Sequence, residues 1–481
     1  MGKGEGESLE TEFASGTTCH GFNRLAVAKK WPHRAFWTVA ILWGFGMTTW
    51  MISSRIEAYF KYETSTEIRV EEKYALEFPA VTFCNFNKYR RSAMTALDWY
   101  IYANSKLAEK YAFEADYDPE ATAALRAAFE GFEANLTATY PGGFDFGNFT
   151  RRIGWELNNE TMPLCLFRMK QCFPENFTHA FQSEYGNCYT FNSHHDEDSL
   201  SLQQTRPGAQ QGLYILFDIQ QAEYTELLSL NGALGVGIDF QIHSWYERPN
   251  VAQHGLGAGV GTAALVSMHQ NELQNLAHPW GNCSNDRTLK HFPRYSRSGC
   301  EVECYLEKVL ELCGCKPFSY PGNAVNCNPV DQVLCADPTI FKVASNFQKE
   351  CGARCPEACQ IIEYPPTVSY APFPNYYMAQ ELASMYGTNA NYASENLVGL
   401  SIYYKDLNNR LTKKNPAMTP SGLLSDIGGQ LGLFIGMSTL TLMEFGEYII
   451  FKIIQCCRKR KPKTSQSKGV ANNVKVDESG M

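Results

Sequence analysis

Two apolar runs stand out against an otherwise mixed chain, one from Ala35 to Ile52 and one from Leu423 to Ile454. The first, AFWTVAILWGFGMTTWMI, is uncharged and near the minimum length for crossing ~30 Å of hydrocarbon. The second lies within SGLLSDIGGQLGLFIGMSTLTLMEFGEYII and is interrupted by carboxylates, a glutamine and a file of glycines. On one continuous helix of ~3.6 residues per turn, Asp426, Gln430, Leu433, Met437 and Glu444 fall along one stripe. Asp426 and Glu444 then share a face, about five turns apart. Gly428, Gly432 and Gly436 fall roughly opposite, at the spacing by which membrane helices approach closely.

Between the runs the pattern changes. Phe78-Pro-Ala-Val-Thr-Phe-Cys84 predicts a strand, and residues 92–135 carry apolar positions at helical spacing. Residues 136–180 are expected to be loop-rich. Strands are expected at 212–220, 235–244, 263–270 and 396–404, with helices from Cys304 to Leu312 and from Tyr376 to Tyr386. No internal repeat is evident. The middle of the chain therefore predicts one α+β body with a β core and helical outworks.

Topology follows from charge. Lys29, Lys30 and Arg34 precede the first run, and Arg458-Lys459-Arg460-Lys461 follow the second, which places both ends in the cytosol and the middle outside. The first run begins too far in, and lacks the small-residue cleavage site, to be a signal peptide. Expected boundaries are a cytosolic segment 1–34, a first span 35–59, an extracellular domain 60–420, a pore-lining second span 421–454 and a cytosolic tail 455–481. A mean hydropathy of -0.30 suits two passes on a large polar domain. Of 17 cysteines only Cys19, Cys456 and Cys457 lie outside the middle, leaving an even 14 in an oxidising compartment, the mark of a disulfide framework. The five glycosylation sequons, at Asn135, Asn148, Asn159, Asn176 and Asn282, also lie there. Cys456-Cys457, beside a basic cluster, reads equally as a palmitoylation site or as unmodified thiols. A net charge of -8, with the cations gathered near the cytosolic ends, makes the outer domain acidic and argues against nucleic-acid binding.

Enzyme signatures are missing: there is no HExxH, nucleophile elbow or Walker A motif. His194-His195-Asp196 reads as a solvated loop more readily than as a metal site, and HGLGAGVGT (254–262) as a flexible loop. Cys313-x-Cys315 and Cys300-x3-Cys304 would suit zinc in the cytosol but disulfides outside. The second run is the chemical centre of interest. An acid facing lipid costs roughly 2.5–3.5 kcal/mol on insertion scales, so the polar stripe should face water and the glycine stripe a neighbouring helix. One such helix per chain cannot enclose a pore, so several subunits around an axis are implied, and carboxylates on the path imply cations.

Several motifs together are more specific: His20-Gly21, FPAVTFCNFN (78–87), EYGNCYTFN (184–192), DIQQ…EY (218–224), PWGNC (279–283), CADP (335–338), ENLVGLSIYYKDLN (395–408) and DIGGQLGLFIGMS (426–438). With these the chain resembles the epithelial sodium channel/degenerin superfamily, nearest its acid-sensing and bile acid-sensitive branches. The resemblance implies a trimeric channel with a hand-like outer domain of finger, thumb and knuckle elements around a β core. It implies a selectivity filter at Gly436-Met437-Ser438, where the second span breaks, with Asp426 and Glu444 on the conduction path. It gives His20-Gly21 a place in the lower pore and in gating, Leu407-Asn408 the role of a gating linker, and Tyr62 with Trp280 a coupling role. Seven disulfides are implied: Cys84–Cys188, Cys165–Cys172, Cys283–Cys359, Cys300–Cys355, Cys304–Cys351, Cys313–Cys335 and Cys315–Cys327. Met437 is an unusual middle residue for the filter.

The departures concern gating. Tyr62-Glu63-Thr64 stands where the acid-sensing branch has a histidine pair, and Gln203 where it has a lysine. Of the acidic pocket, Glu223 and Asp337 remain, whereas Ala222 and Phe341 stand where acids are common. The expected function is an amiloride-sensitive, sodium-selective channel of the plasma membrane, a homotrimer or a heterotrimer with related subunits. Its stimulus is a proton, a peptide, or a bile acid or other amphiphile, or else it is constitutively open. No cofactor is expected beyond permeant Na⁺, and no metal. The competing readings are a two-pass glycoprotein receptor without a pore, whose spans should be charge-free, and an ATP-gated cation channel, whose lysine-rich nucleotide site is missing here.

Overall fold

The computed structural model describes residues 9–114, 119–182, 184–193, 202–225 and 235–459. The chain divides into two compact units, one built from both ends up to Ser65 and from Pro416, the other Thr66–Asn415. The His194-His195-Asp196 triplet and the tail after Lys461 lie outside the described residues.

The larger unit is organised by two main sheets. In the five-stranded one, Ala80–Asn85 sits centrally between Gly237–His243 and Gly186–Phe191. All six of its residues are buried, so the strand is covered on both faces and does not alternate. The eight-stranded sheet is built around a parallel pair, Thr262–Gln274 beside Leu397–Pro416, with Leu213–Asp218 antiparallel to the latter. The two sheets share one core. Phe83 of the first meets Phe217 of the second at 5.3 Å between ring centroids, and Phe78, Phe240, Met268 and Tyr404 complete the buried centre. Each such side chain contributes roughly 1.5–3 kcal/mol.

The helical arms follow their apolar spacing. Ala96–Glu114 buries Ile101, Ala108 and Ala112, and Pro119–Thr139 buries Phe129, Phe132 and Leu136 in the same cluster. Asp98, 1% exposed, is clasped by Arg152 through both carboxylate oxygens, at 2.9 and 2.5 Å, and by Thr95. Burial opposes its ionisation, but these bonds outweigh it and hold the carboxyl below its ordinary range.

Several sequence expectations are corrected. Residues 136–180 are not mainly loop: they hold the helix Phe146–Ile153 and the strands Leu164–Phe167 and Phe177–Gln182. The helix starts because Asp145 caps it, accepting from the Gly147 and Asn148 amides. HGLGAGVGT is no flexible loop, since Leu256–Gly259 pairs with Gly237–Phe240. Gly261, at φ +70, turns the chain into the next strand, and a Cβ there would lie 2.8 Å from the Ser394 carbonyl oxygen. The helix expected from Cys304 begins at Arg297, capped by Ser296. A second helical arm, Pro329 to Ser345 with a wider turn at Gln332–Ala336, was not anticipated.

Seven disulfides tie this unit, and they are the pairs the resemblance implies. Five lie within 283–359, where the arm has little apolar core of its own. The five sequon asparagines are all exposed.

The smaller unit contains a long helix, Trp31–Phe60, and a second apolar run split into Pro420–Ile435 and Thr439–Lys459, bent by 73°. Trp31–Phe60 packs against Pro420–Ile435 at Gly44, where an added Cβ would lie 3.0 Å from the Phe434 carbonyl oxygen. Large apolar side chains on these helices, among them Phe36, Leu42, Trp50, Leu433 and Ile450, are exposed in the single chain.

Candidate functional site

The break in the second run is built by local chemistry. Gly436 adopts φ +72, a left-handed conformation that costs an L-residue roughly 1–2 kcal/mol. Its amide donates to the Gly432 carbonyl and that of Met437 to Leu431, closing the first half-helix. Ser438 and Thr441 then start the second half reciprocally: the Ser438 amide donates to Thr441 Oγ1 at 3.0 Å, and the Thr441 amide to Ser438 Oγ at 3.3 Å.

This break corrects the expectation of one continuous polar stripe. With a 73° bend at Gly436–Ser438, Asp426 and Glu444 do not share the face of one helix. Asp426 lies 3.7 Å from the Arg55 guanidinium on the first long helix, both half-exposed. Glu444 instead accepts from the Thr17 hydroxyl and the Thr18 amide, each at 3.0 Å. The glycine file is also divided. Gly428 and Gly432 are exposed on this chain, and Gly44 makes the close helix contact instead.

The N-terminal segment completes the site. The His20 amide donates to the Ile435 carbonyl at 2.8 Å, the last residue before the break. A Cβ on Gly436 would fall 1.9 Å from His20 Nδ1, so the ring occupies the space a side chain would need. Gly21, at φ +93, turns the segment away, with Ile41 Cγ1 2.9 Å from where its Cβ would be. Buried Cys19 points its thiol at the same Ile435 carbonyl, at 3.7 Å. Thr18 Oγ1 lies 2.6 Å from Thr441 Oγ1, and Phe13 packs on Phe445 and Tyr448. Thus His20, Gly21, Gly436, Met437, Ser438 and Glu444 are gathered in one place. Thr17, Thr18, Cys19, Thr441 and Gly44 belong to the same assembly but escaped the sequence reading. Only the Ser438-x-x-Thr441 spacing offered a signal, as a helix start.

In the larger unit Leu407 and Asn408 lie in an irregularity of the long strand. The ladder runs to Met268 opposite Tyr404 and resumes with Gln270 opposite Asn409, so residues 405–408 bulge opposite His269. Asp406 accepts from the Asn408 amide at 3.2 Å and sits 3.3 Å from His269 Nδ1. The Lys73 amide donates to the Leu407 carbonyl.

Tyr62, at φ +52, follows the first long helix just past its Lys61 cap, against Tyr59 and Phe60, and Trp280 lies in the 278–280 turn of the other unit. Glu223 and Asp337 bond separate partners. Glu223 accepts from the Ser92 amide at 2.8 Å, and Asp337 from the Gln332 amide group at 2.6 Å. Burial pushes the Asp337 carboxyl up to about 7, against the opposing pull of Gln332 and Lys88 and with help from Glu184 and Glu109. Glu247, not singled out by sequence, is likewise pushed up to about 7 by burial, with Glu363 and Glu357 adding to the shift. Phe341 is 70% exposed. Gln203 sits in a two-residue strand opposite Glu77.

Comparison with known proteins accounts for most of the chain. Residues 13–448 match the family model described as amiloride-sensitive sodium channel. The human bile acid-sensitive ion channel is 33% identical over 463 residues, covering 94% of this chain and 88% of that protein. The acid-sensing ion channel 1C of Danio rerio is 33% identical over 471 residues, 95% of this chain and 87% of that one. The human acid-sensing ion channel 2 is 32% identical over 449 residues, 91% and 85% respectively.

Proposed function

This chain belongs to the amiloride-sensitive sodium channel family, a family of plasma-membrane cation channels, and from that premise we propose that it forms a sodium-selective, amiloride-blockable pore as a trimer. The observation that carries the reading is the broken second run, Gly436-Met437-Ser438, with His20 held against it. A half-helix that stops inside the membrane presents the carbonyl end of its dipole, which favours a cation. In this reading Pro420–Ile435 is such a half-helix, since it stops at Gly436 and Ser438 places a hydroxyl shortly after it. Three copies around an axis bring three such breaks together and form a ring of oxygens able to replace part of an ion's hydration shell. The exposed Gly428 and Gly432 suit close approach of a neighbouring subunit. In this reading both runs span the bilayer, both ends are cytosolic, and the exposed apolar side chains meet lipid.

Gating is assigned to the larger unit. The strand Leu397–Pro416 carries the Leu407-Asn408 bulge and is followed within a few residues by Pro420–Ile435, so a change in the bulge has a covalent route to the break. The stimulus is a proton or another extracellular ligand. Asp337 supports protons, because a carboxyl held near 7 is ionised at pH 8 and neutral at pH 5.

The test is whole-cell current in expressing oocytes during a step from about pH 8 to about pH 5, with and without amiloride, spanning the Asp337 range. A transient, amiloride-blocked inward current assigns proton gating. A standing amiloride-blocked current that acid leaves unchanged or reduces points to a peptide, bile acid or constitutive mode. The absence of any amiloride-blocked current at the surface, with the protein present there, overturns the pore.

A further inference from the structure

A cleft of about 190 Å³ opens in the larger unit between the helix Arg297–Cys313, the helix Asp337–Ser345 and the segment after Gly237–His243. Arg248 lines it. The guanidinium has five N–H donors in a planar fork. Nη2 donates to the Ser319 carbonyl at 2.6 Å, the guanidinium carbon lies 4.6 Å from the Tyr320 ring centre, and Tyr320 and Glu184 both favour the charged form. Among the described residues no carboxylate oxygen comes within 4.0 Å of it. Arg248 is half-buried, and a guanidinium that loses hydration is ordinarily matched by a carboxylate in direct contact. Burial accordingly pulls this guanidinium below its usual value.

The other charges at the cleft do not fill the role. Glu301 is engaged by Arg297 at 2.9 Å, and Glu184 is exposed at the rim. Val302, Ile340 and Ala344 supply apolar lining, together with Tyr305 and Tyr320. The cleft is smaller than the ~300–1,000 Å³ of sites for drug-sized ligands.

We propose that this cleft is a binding site for a compact monocarboxylate, whose carboxylate pairs with the Arg248 guanidinium and whose apolar body lies against Val302, Ile340 and Ala344. The Arg fork matches a carboxylate in two parallel hydrogen bonds, which a halide does not reproduce. Glu184 at the rim works against a dianion such as phosphate. The site is independent of the pore, since occupancy is read without current.

The test uses the full-length chain purified in detergent, with sodium benzoate as probe and calorimetric titration as readout. Wild-type protein is expected to bind benzoate in the millimolar range or tighter, and Arg248→Gln to weaken it by about tenfold or more. Benzyl alcohol, with the same ring and no charge, is expected to bind as poorly to wild type as benzoate does to the variant. Ala344→Trp, which fills the cleft and leaves Arg248 in place, is expected to lose binding too, and serves if Arg248→Gln does not fold. The proposal is overturned by undetectable benzoate binding to wild type, by equal binding to Arg248→Gln or Ala344→Trp, or by chloride or benzyl alcohol competing as well as benzoate.

Discussion

Replacing Gly436 by alanine tests how the N-terminal segment and the broken run depend on one another. At φ +72 the new side chain carries roughly 1–2 kcal/mol of backbone strain. Its Cβ would also stand 1.9 Å from His20 Nδ1, so the ring must leave. Moving His20 loosens the amide bond to the Ile435 carbonyl, a loss of about 0.5–1.5 kcal/mol. The strain and the lost bond together weaken the packed break by about 1.5–3.5 kcal/mol, while the overlap of the new Cβ with the ring is what drives the segment out. Cys19 reports the change, because its thiol is buried against Ile435. With Cys456 and Cys457 changed to serine, a membrane-permeant maleimide should label Gly436→Ala at least about tenfold faster than the parent, because displacement uncovers the buried thiol. Current through the variant should change at the same time. Labelling at the parent rate with unaltered current would refute the reasoning, since the ring and the added methyl cannot share the space.

Asp98→Asn should loosen the helix Ala96–Glu114 by about 2–3 kcal/mol, seen as faster amide exchange there. The value is set below the ~3–5 kcal/mol for breaking a fully buried pair, because Arg152 is 51% exposed. Asp337 has a pH signature. Its carboxyl is raised from an ordinary 3.8 to about 7, so between these values the folded state holds the extra proton and its stability falls as pH rises. Asp337→Asn should flatten that part of the stability–pH curve and shrink any current evoked between pH 8 and pH 6; an unchanged curve would assign the proton elsewhere. Replacing Cys304 and Cys351 together by serine should destabilise the helix Arg297–Cys313 by ~2–4 kcal/mol, measured as earlier thermal unfolding in detergent. Leu407→Ala should alter the time course of current decay while surface expression is preserved, because Leu407 is only half-buried at the margin of the main core.

Much of this architecture is legible in the chain because its strongest patterns are local. Two apolar runs, an even set of cysteines and buried strands such as AVTFCN announce themselves by composition and period. Disulfide pairing was not available from spacing; it came with the family resemblance, and the structure has the same pairs. The pore region shows the limit of a periodic reading. A helical wheel treats Leu423–Ile454 as continuous and sets Asp426 beside Glu444. The left-handed Gly436 looks in sequence like any other member of the glycine file. Glu444 finds its partner 427 residues away at Thr17, and no local pattern points to that pairing. The helical arm 329–345 was hidden for another reason: Pro329, Cys335 and Pro338 break its apolar rhythm, while the Cys313–Cys335 disulfide and the Asn328 cap hold it. Arg248 carries no signal at all, because its meaning lies in the cleft that other segments build around it.

The most direct measurement is the reversal potential under bi-ionic Na⁺/K⁺ conditions for wild type and for Ser438→Ala, with surface protein quantified in the same cells. If Gly436-Met437-Ser438 is the filter, wild type prefers Na⁺, and loss of the Ser438 hydroxyl shifts the reversal potential while surface expression is preserved. An identical reversal potential in the two, at equal surface expression, contradicts the placement of ion selection at the break.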